Sequence, residues 1–137
     1  MIKWKLILSL SLVGVVVAIA GVFGLMGKIE PLLWLVIFVF YAIVIVKKTG
    51  GRFFLHGFLV SVINGVWIAL IHSLFFSTYM ANNPDMVASY QKFPQSIPPQ
   101  AMMLIVGPVI GAVTGLVAGL FAFIAGKFVK KQGTVLS

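Results

Sequence analysis

The sequence has no cysteine and only two acidic residues, Glu30 and Asp85, in 137 positions. Without cysteine there are no disulfides, thiolate metal sites or thiol nucleophiles. General acid and base catalysis needs carboxylates or histidines within reach of one another, and these two acids fall in separate predicted loops. No phosphate-binding loop, dinucleotide-binding fingerprint or zinc-protease motif occurs either. The sequence therefore predicts a protein that is not an enzyme and that holds no cofactor and no metal.

Charged residues are scarce, whereas apolar residues are abundant. Hydrophobic residues make up 61% of the chain and charged residues 9%, and the mean hydropathy is +1.17. A spanning helix needs about 20 mainly apolar residues, so the chain accommodates about four spans and no separate soluble domain. The composition predicts an all-α integral membrane four-helix bundle, a single domain over residues 1–137. The predicted spans cover residues 6–26, 31–46, 53–79 and 101–129, with a short interfacial helix over residues 84–93.

The first predicted span also resembles a secretory signal peptide. Lys3 and Lys5 precede an apolar run that contains the small-residue triplet Ala18-Ile19-Ala20, as before a cleavage site. However, the apolar run continues to Met26 and so reaches spanning length. We therefore expect an uncleaved first helix, with cleavage as the alternative. The short turn that follows predicts that the first two helices are antiparallel neighbours.

The net charge of +8 reports membrane orientation rather than nucleic-acid binding, because the basic residues lie at the ends of the predicted spans. Under a four-span arrangement, eight of the ten basic residues fall on one side of the membrane. The positive-inside rule then places both termini in the cytoplasm, which for a bacterial protein means that the spans lie in the inner membrane. Outside the N-terminus, the residues of this cytoplasmic basic rim are Lys47, Lys48, Arg52, Lys127, Lys130 and Lys131.

A comb of glycines recurs at every fourth position inside the last span. A spacing of four advances about 40° around a helix, so these glycines form one slowly winding groove. In lipid, such grooves let another helix backbone approach closely. The comb predicts a helix-packing interface, and its partner is a helix of the same bundle, a second copy of the chain or a neighbour around a pore. Its members are Gly107, Gly111, Gly115 and Gly119.

Polar residues are rare within the predicted spans, and the third span holds nearly all of them. At about 100° per residue, Ser61, Asn64 and His72 fall within one sector of this helix, while His56 lies off it. Polar groups at membrane depth join helices by hydrogen bonds or line a pathway for a solute or ion, and both interpretations stay open. The two histidines are separated by about 24 Å of helix rise, so they cannot bind one metal ion together.

Several local features resemble a bacterial family of small four-helix integral membrane proteins, the domain of unknown function 4199 type. The resemblance covers residues 47–131. It implies a multi-pass bacterial membrane protein and carries over no catalytic position. The features are Gly50-Gly51 with an aromatic pair opening a helix, the turn Asn83-Pro84-Asp85-Met86 followed by Tyr90, and a glycine-rich last helix that ends in lysines.

The leading functional prediction is a non-enzymatic accessory or scaffold subunit. It would act through helix packing with another membrane protein or with itself as a homo-oligomer, because the glycine comb is the most specific feature of the sequence. The alternative is a small oligomeric transporter or channel, with Ser61, Asn64 and His72 facing the pathway. A third possibility is binding of anionic membrane lipid by the basic rim. No nucleic-acid partner is predicted.

Overall fold

The computed structural model describes residues 2–25, 29–84, 88, 91–92 and 96–136. Within these residues the chain is helical and contains no strand. Three helices and residues 99–128 of a fourth are long and apolar enough to cross a membrane, which confirms the expected multi-pass, all-α membrane protein. The helices are α1 (Trp4–Val22), α2 (Glu30–Lys48), α3 (Phe53–Leu74), α4 (Phe76–Asn82) and α5 (Pro99–Leu136).

Helix α1 ends earlier than the predicted position 26, because Gly24 stops it. Gly24 has a φ of +71°, in the left-handed region. Its N–H donates to the Gly21 carbonyl at 3.0 Å, and the N–H of Leu25 donates to the Ala20 carbonyl at 3.0 Å. This pair of bonds is the Schellman motif, which satisfies helix-terminal carbonyls by reversing the backbone at a glycine.

The predicted third span over residues 53–79 consists of two helices. At Phe75 the backbone leaves helical geometry, with φ −108° and ψ 38°, so α3 ends and the short α4 starts in a new direction. Side chains of α4 then reach the C-terminal end of α1. The interfacial helix predicted over residues 84–93 falls largely outside the described residues.

Helix α3 is the centre of the bundle. It packs against α5 over most of its length and against α1 on another side, while α2 packs mainly on α5. Helices α1 and α2 run antiparallel, as the short turn predicts, and they meet where Lys3 Nζ donates to the Lys48 carbonyl at 2.6 Å and Ile7 shares a core cluster with Ile45. Close backbone approaches between them are few, and toward their other ends the cavity described below lies between them.

The glycine comb of α5 lies against α3 of the same chain. A Cβ added at Gly111 would lie 2.8 Å from the Ser61 carbonyl oxygen, and one added at Gly119 would lie 2.7 Å from the Phe54 carbonyl oxygen. On α3, Gly57 faces α5 in the same way, since a Cβ added there would lie 2.7 Å from the Ala118 carbonyl oxygen. The two backbones are therefore in direct contact, and α3 fills the groove of the comb.

Buried apolar side chains concentrate at the end of the bundle where the N-terminus lies. Ile7 of α1, Ile45 of α2 and Val60 of α3 are completely buried there. Large apolar side chains elsewhere point outward, such as Val16 with 67% and Leu32 with 66% of their surface exposed. Such faces suit lipid chains rather than water.

A candidate solute cavity among the spanning helices

A cavity of about 820 Å³ lies among the helices in the half of the bundle away from the N-terminus. Every helix from α1 to α5 contributes to its walls. Glu30 and Asn83 lie at its mouth, and Asn64 lies at the midpoint of α3. From Glu30 to Phe38, which also lines the cavity, α2 rises about 12 Å. The cavity therefore extends from one end of the bundle to about the middle of the predicted membrane.

The floor of the cavity is held by hydrogen bonds between helices. Asn64 Nδ2 donates to the Tyr41 hydroxyl at 2.9 Å and joins α3 to α2. Ser61 Oγ and Thr114 Oγ1 are 2.9 Å apart and join α3 to α5. Because Thr114 Oγ1 donates its hydrogen to the Ile110 carbonyl at 2.9 Å, the Ser61 hydroxyl is the donor between the two. These bonds close the bundle below the cavity.

Two amides, one from the last residue of α4 and one from the residue after it, secure the rim of the cavity by capping α1. Asn82 Nδ2 donates to the Val22 carbonyl at 3.2 Å, and Asn83 Nδ2 donates to the Gly21 carbonyl at 2.8 Å. The last carbonyls of a helix have no partner within it, so these bonds satisfy groups that lipid cannot. The turn at Phe75 places α4 where its amides reach them.

His72 lies near the mouth, packed between α1 and α4. Its ring stacks on Tyr79 with centroids 4.1 Å apart and an interplanar angle of 22°. Nε2 of His72 is buried without a hydrogen-bond partner. It lies where α1 has no side chain, since a Cβ at Gly21 would be 3.1 Å away. Gly21 and His72 both line the cavity.

Asn64 Oδ1 is the second buried side-chain polar atom without a hydrogen-bond partner among the described residues. It faces Gly14 of α1, where a Cβ would lie only 2.6 Å away. Two glycines of α1 thus make room for two polar side chains of α3. Buried polar groups are normally satisfied, and an exception calls for an explanation such as an absent ligand or water.

Glu30 contributes a carboxylate to the wall of the cavity. It occupies the first turn of α2, and its Oε1 accepts a hydrogen bond from Trp34 Nε1 at 3.3 Å. Trp34 in turn packs beside Phe38, with ring centroids 5.8 Å apart. All three residues line the cavity, so α2 contributes one carboxylate followed by an aromatic wall.

His56 is part of the structural frame at the opposite end of the bundle. The residue is completely buried. Its Nδ1 bonds the Arg52 carbonyl at 2.8 Å, and its Nε2 accepts the N–H of Lys3 at 3.2 Å. The accepted bond fixes the tautomer with hydrogen on Nδ1. Among the described residues, no three histidine or acidic side chains gather as a metal site would require.

Basic residues cluster at the end of the bundle farthest from the cavity mouth. Lys47, Lys48 and Arg52 are exposed there, and Lys3 Nζ donates to the Lys48 carbonyl at 2.6 Å. Lys127 at the same end lies over the Phe123 ring, 4.7 Å from its centroid. The side chains of Lys130 and Lys131 lie outside the described part of the chain.

The polar sector predicted on the third span is brought together at one place, because Ser61, Asn64 and His72 all line this cavity. The comb glycines Gly107 and Gly111 form part of its wall beside α3. Sequence reasoning placed Glu30 in a predicted loop and did not identify it as a residue of this cavity. The available signal was a lone acid one helical turn before a tryptophan, at the start of an apolar span.

The fold and cavity define the class of this protein as a multi-pass α-helical membrane protein with a mainly apolar cavity that contains a few polar side chains and opens at one end of the bundle. Comparison of the chain with protein-family models, with curated proteins and with solved structures found no match. The resemblance described from residues 47–131 therefore stays an expectation.

Proposed function

We propose that this protein is a small, non-enzymatic membrane transporter that takes a solute into the cavity among its helices. The observation that carries the proposal is the cavity of about 820 Å³, which reaches the midpoint of α3 and has polar atoms in its walls. Solute sites in proteins commonly have volumes of about 300–1,000 Å³ with few polar groups among apolar walls. In transporters, such sites lie near the middle of the membrane.

The described residues that line this cavity come from one chain, so this proposal, unlike the oligomeric channel predicted from the sequence, does not rest on oligomerisation. The distribution of basic residues supports an orientation in which both termini are cytoplasmic and the cavity opens to the opposite side. In that orientation, solute enters from outside the cell, and the bonds of Asn64 and Ser61 must rearrange for it to pass.

The accessory or scaffold role predicted from the glycine comb has less support. The comb is covered by α3, so a partner helix would have to use another face of the bundle. The outward apolar side chains suit lipid equally well. Crosslinking of a second membrane protein to the intact chain in native membranes would support this role.

The transporter proposal is tested by flux through reconstituted liposomes. We would use three radiolabelled naphthalene derivatives that cross lipid poorly and carry a trimethylammonium, a glucoside or a sulfonate group. Val106 lines the cavity, so Val106→Trp fills it. Val109 lies one turn further along α5 and is 58% exposed, which makes Val109→Trp the matched control.

We expect protein-dependent flux of at least one derivative, loss of that flux in Val106→Trp, and retention of it in Val109→Trp. Both variants must first give the wild-type elution profile in detergent, so that a folding defect is not mistaken for a blocked cavity. Absence of protein-dependent flux for all three compounds would refute the proposal. Equal flux through Val106→Trp and the wild type would refute it as well.

A further inference from the structure

We infer that the solute is an organic cation, a compound with an ammonium group and an apolar, preferably aromatic, body. The inference rests on the proposed role of the cavity as a solute site and adds the class of solute. Glu30 would pair with the positive charge, Trp34 and Phe38 would face the apolar body, and His72 would accept a hydrogen bond from the ammonium group.

The charge of the cavity is opposite to that of the whole chain. The protein has ten basic and two acidic residues, yet in the described part of the chain the residues that line the cavity include Glu30 and no lysine or arginine. Among the described residues, Glu30 makes a hydrogen bond to Trp34 and no ion pair. A carboxylate at the edge of a low-dielectric cavity attracts cations more strongly than one in bulk water.

Helix dipoles at the mouth do not cancel this charge. Glu30 lies at the N-terminus of α2, whose positive dipole end offsets about half a charge. The N-terminus of α5 adds a similar amount, but α1 and α3 end on the same side of the bundle with negative dipole ends of equal size. The four dipoles therefore balance, and among the described residues that line the cavity the Glu30 carboxylate is the charged side chain.

Aromatic side chains provide a surface for the body and the charge of such a solute. Trp34 and Phe38 form a continuous wall on α2, with ring centroids 5.8 Å apart, and Tyr79 lines the opposite side. Ammonium groups bind over aromatic faces, and tryptophan is the strongest of these partners. An anion would meet the negative faces of the same rings beside a carboxylate.

The hydrogen-bonding groups at the mouth also favour a solute that donates a hydrogen bond. Trp34 Nε1 is used by Glu30. The Nδ2 groups of Asn82 and Asn83 each donate to two backbone carbonyls, so both hydrogens of each amide are engaged. By contrast, Nε2 of His72 has no partner, and a neutral imidazole can present this nitrogen as an acceptor.

Equilibrium binding to the protein in lipid nanodiscs tests this inference. The tritiated probes are 2-naphthylethylammonium, its trimethylammonium analogue, 2-naphthylethanol and naphthylacetate, which share one aromatic body. We expect the two cations to bind more tightly than the alcohol, and the carboxylate to bind most weakly. Equal affinities for the four probes, or a preference for the carboxylate, would overturn the inference while leaving a solute cavity in place.

Two variants test which residues recognise the ammonium group. Glu30→Gln keeps an acceptor for Trp34 and removes the charge, so the ratio of ammonium to alcohol affinity should fall about tenfold. His72→Phe keeps a ring to stack on Tyr79 and removes Nε2, so the primary ammonium should lose about fivefold in affinity while the trimethylammonium probe loses less. Lys47→Gln, a charge change at the far end of the bundle, is the control and should leave the affinity ratio unchanged.

The outcomes separate this inference from the transporter proposal. Selective cation binding without flux of any compound would refute transport and support the cavity chemistry. Flux that is blocked by Val106→Trp but shows no charge preference would refute the inferred selectivity for cations and support transport. An unchanged affinity ratio in Glu30→Gln would overturn the role of Glu30.

Discussion

The contact between α3 and α5 gives a sharp prediction at Gly111, because its neighbours are backbone atoms. A Cβ there would lie 2.8 Å from the Ser61 carbonyl oxygen and 3.0 Å from the Val62 Cα. Ordinary contact distances start at 3.4 Å, so the two helices would have to move apart locally by about 0.6 Å. No rotamer change relieves this clash.

We expect Gly111→Ala to destabilise the protein by about 2 kcal/mol, in the range found for overpacked cores. Weak Cα–H···O contacts between the two backbones would be lost as well. Helix propensity alone predicts the opposite sign, since alanine favours a helix interior over glycine by about 1 kcal/mol. A lower free energy of unfolding in Gly111→Ala therefore indicates that close backbone packing outweighs the helix preference of alanine. A higher one indicates the reverse.

The measurement is reversible unfolding in mixed micelles, with the free energy of unfolding compared between variants. Gly115→Ala should cost less, because the nearest backbone atom to its Cβ, the Phe58 carbonyl oxygen, is 3.0 Å away, and the nearer Cδ2 of Phe58 at 2.9 Å belongs to a ring that can turn. Gly50→Ala is the control, since nothing lies within 4 Å of its Cβ position, and we expect a change within about 0.5 kcal/mol. A Gly111→Ala protein as stable as the wild type would refute the packing argument.

Further expectations concern the floor of the cavity and the orientation of the chain. Tyr41→Phe leaves the buried Asn64 amide without its acceptor and should cost about 1–2 kcal/mol. A double-mutant cycle with Asn64→Leu should give a coupling energy of about 1 kcal/mol, and a coupling near zero would contradict a stabilising bond. The chain has no cysteine, so introduced single cysteines can report the topology of the chain. Cysteines that replace Lys5 and Lys127 should react with a membrane-impermeant reagent from the same side of the membrane. A cysteine that replaces Ser96 should react from the opposite side. Labelling of Lys5→Cys and Lys127→Cys from opposite sides would exclude a four-span arrangement.

Periodic features of single helices could be predicted from the sequence, because they depend on neighbours within a few turns. The apolar runs gave the four spans. The sector of Ser61, Asn64 and His72 predicted residues that line one cavity, and a spacing of four among glycines predicted a flat face on α5. Each of these follows from helix geometry alone.

Contacts between distant parts of the chain could not be predicted. Asn82 and Asn83 cap carbonyls about sixty positions earlier in the sequence, and no local pattern encodes such a distance. Glu30 fits equally well as a helix-starting acid, so its place at the cavity mouth depends on where α4 and α5 lie. The helix end at Gly24 was missed because the apolar run continues past it.

The capping of α1 by α4 sets an order for biosynthesis. Helix α1 is translated and inserted first, yet the acceptors at its end, the Gly21 and Val22 carbonyls, gain their partners only when Asn83 and Asn82 emerge. At its opposite end, the Lys3 N–H donates to His56 and Lys3 Nζ donates to the Lys48 carbonyl. The first segment to enter the bilayer is thus completed only after α4 has emerged, and a ribosome stalled shortly after α3 should leave the end of α1 uncapped and accessible to membrane quality-control proteases.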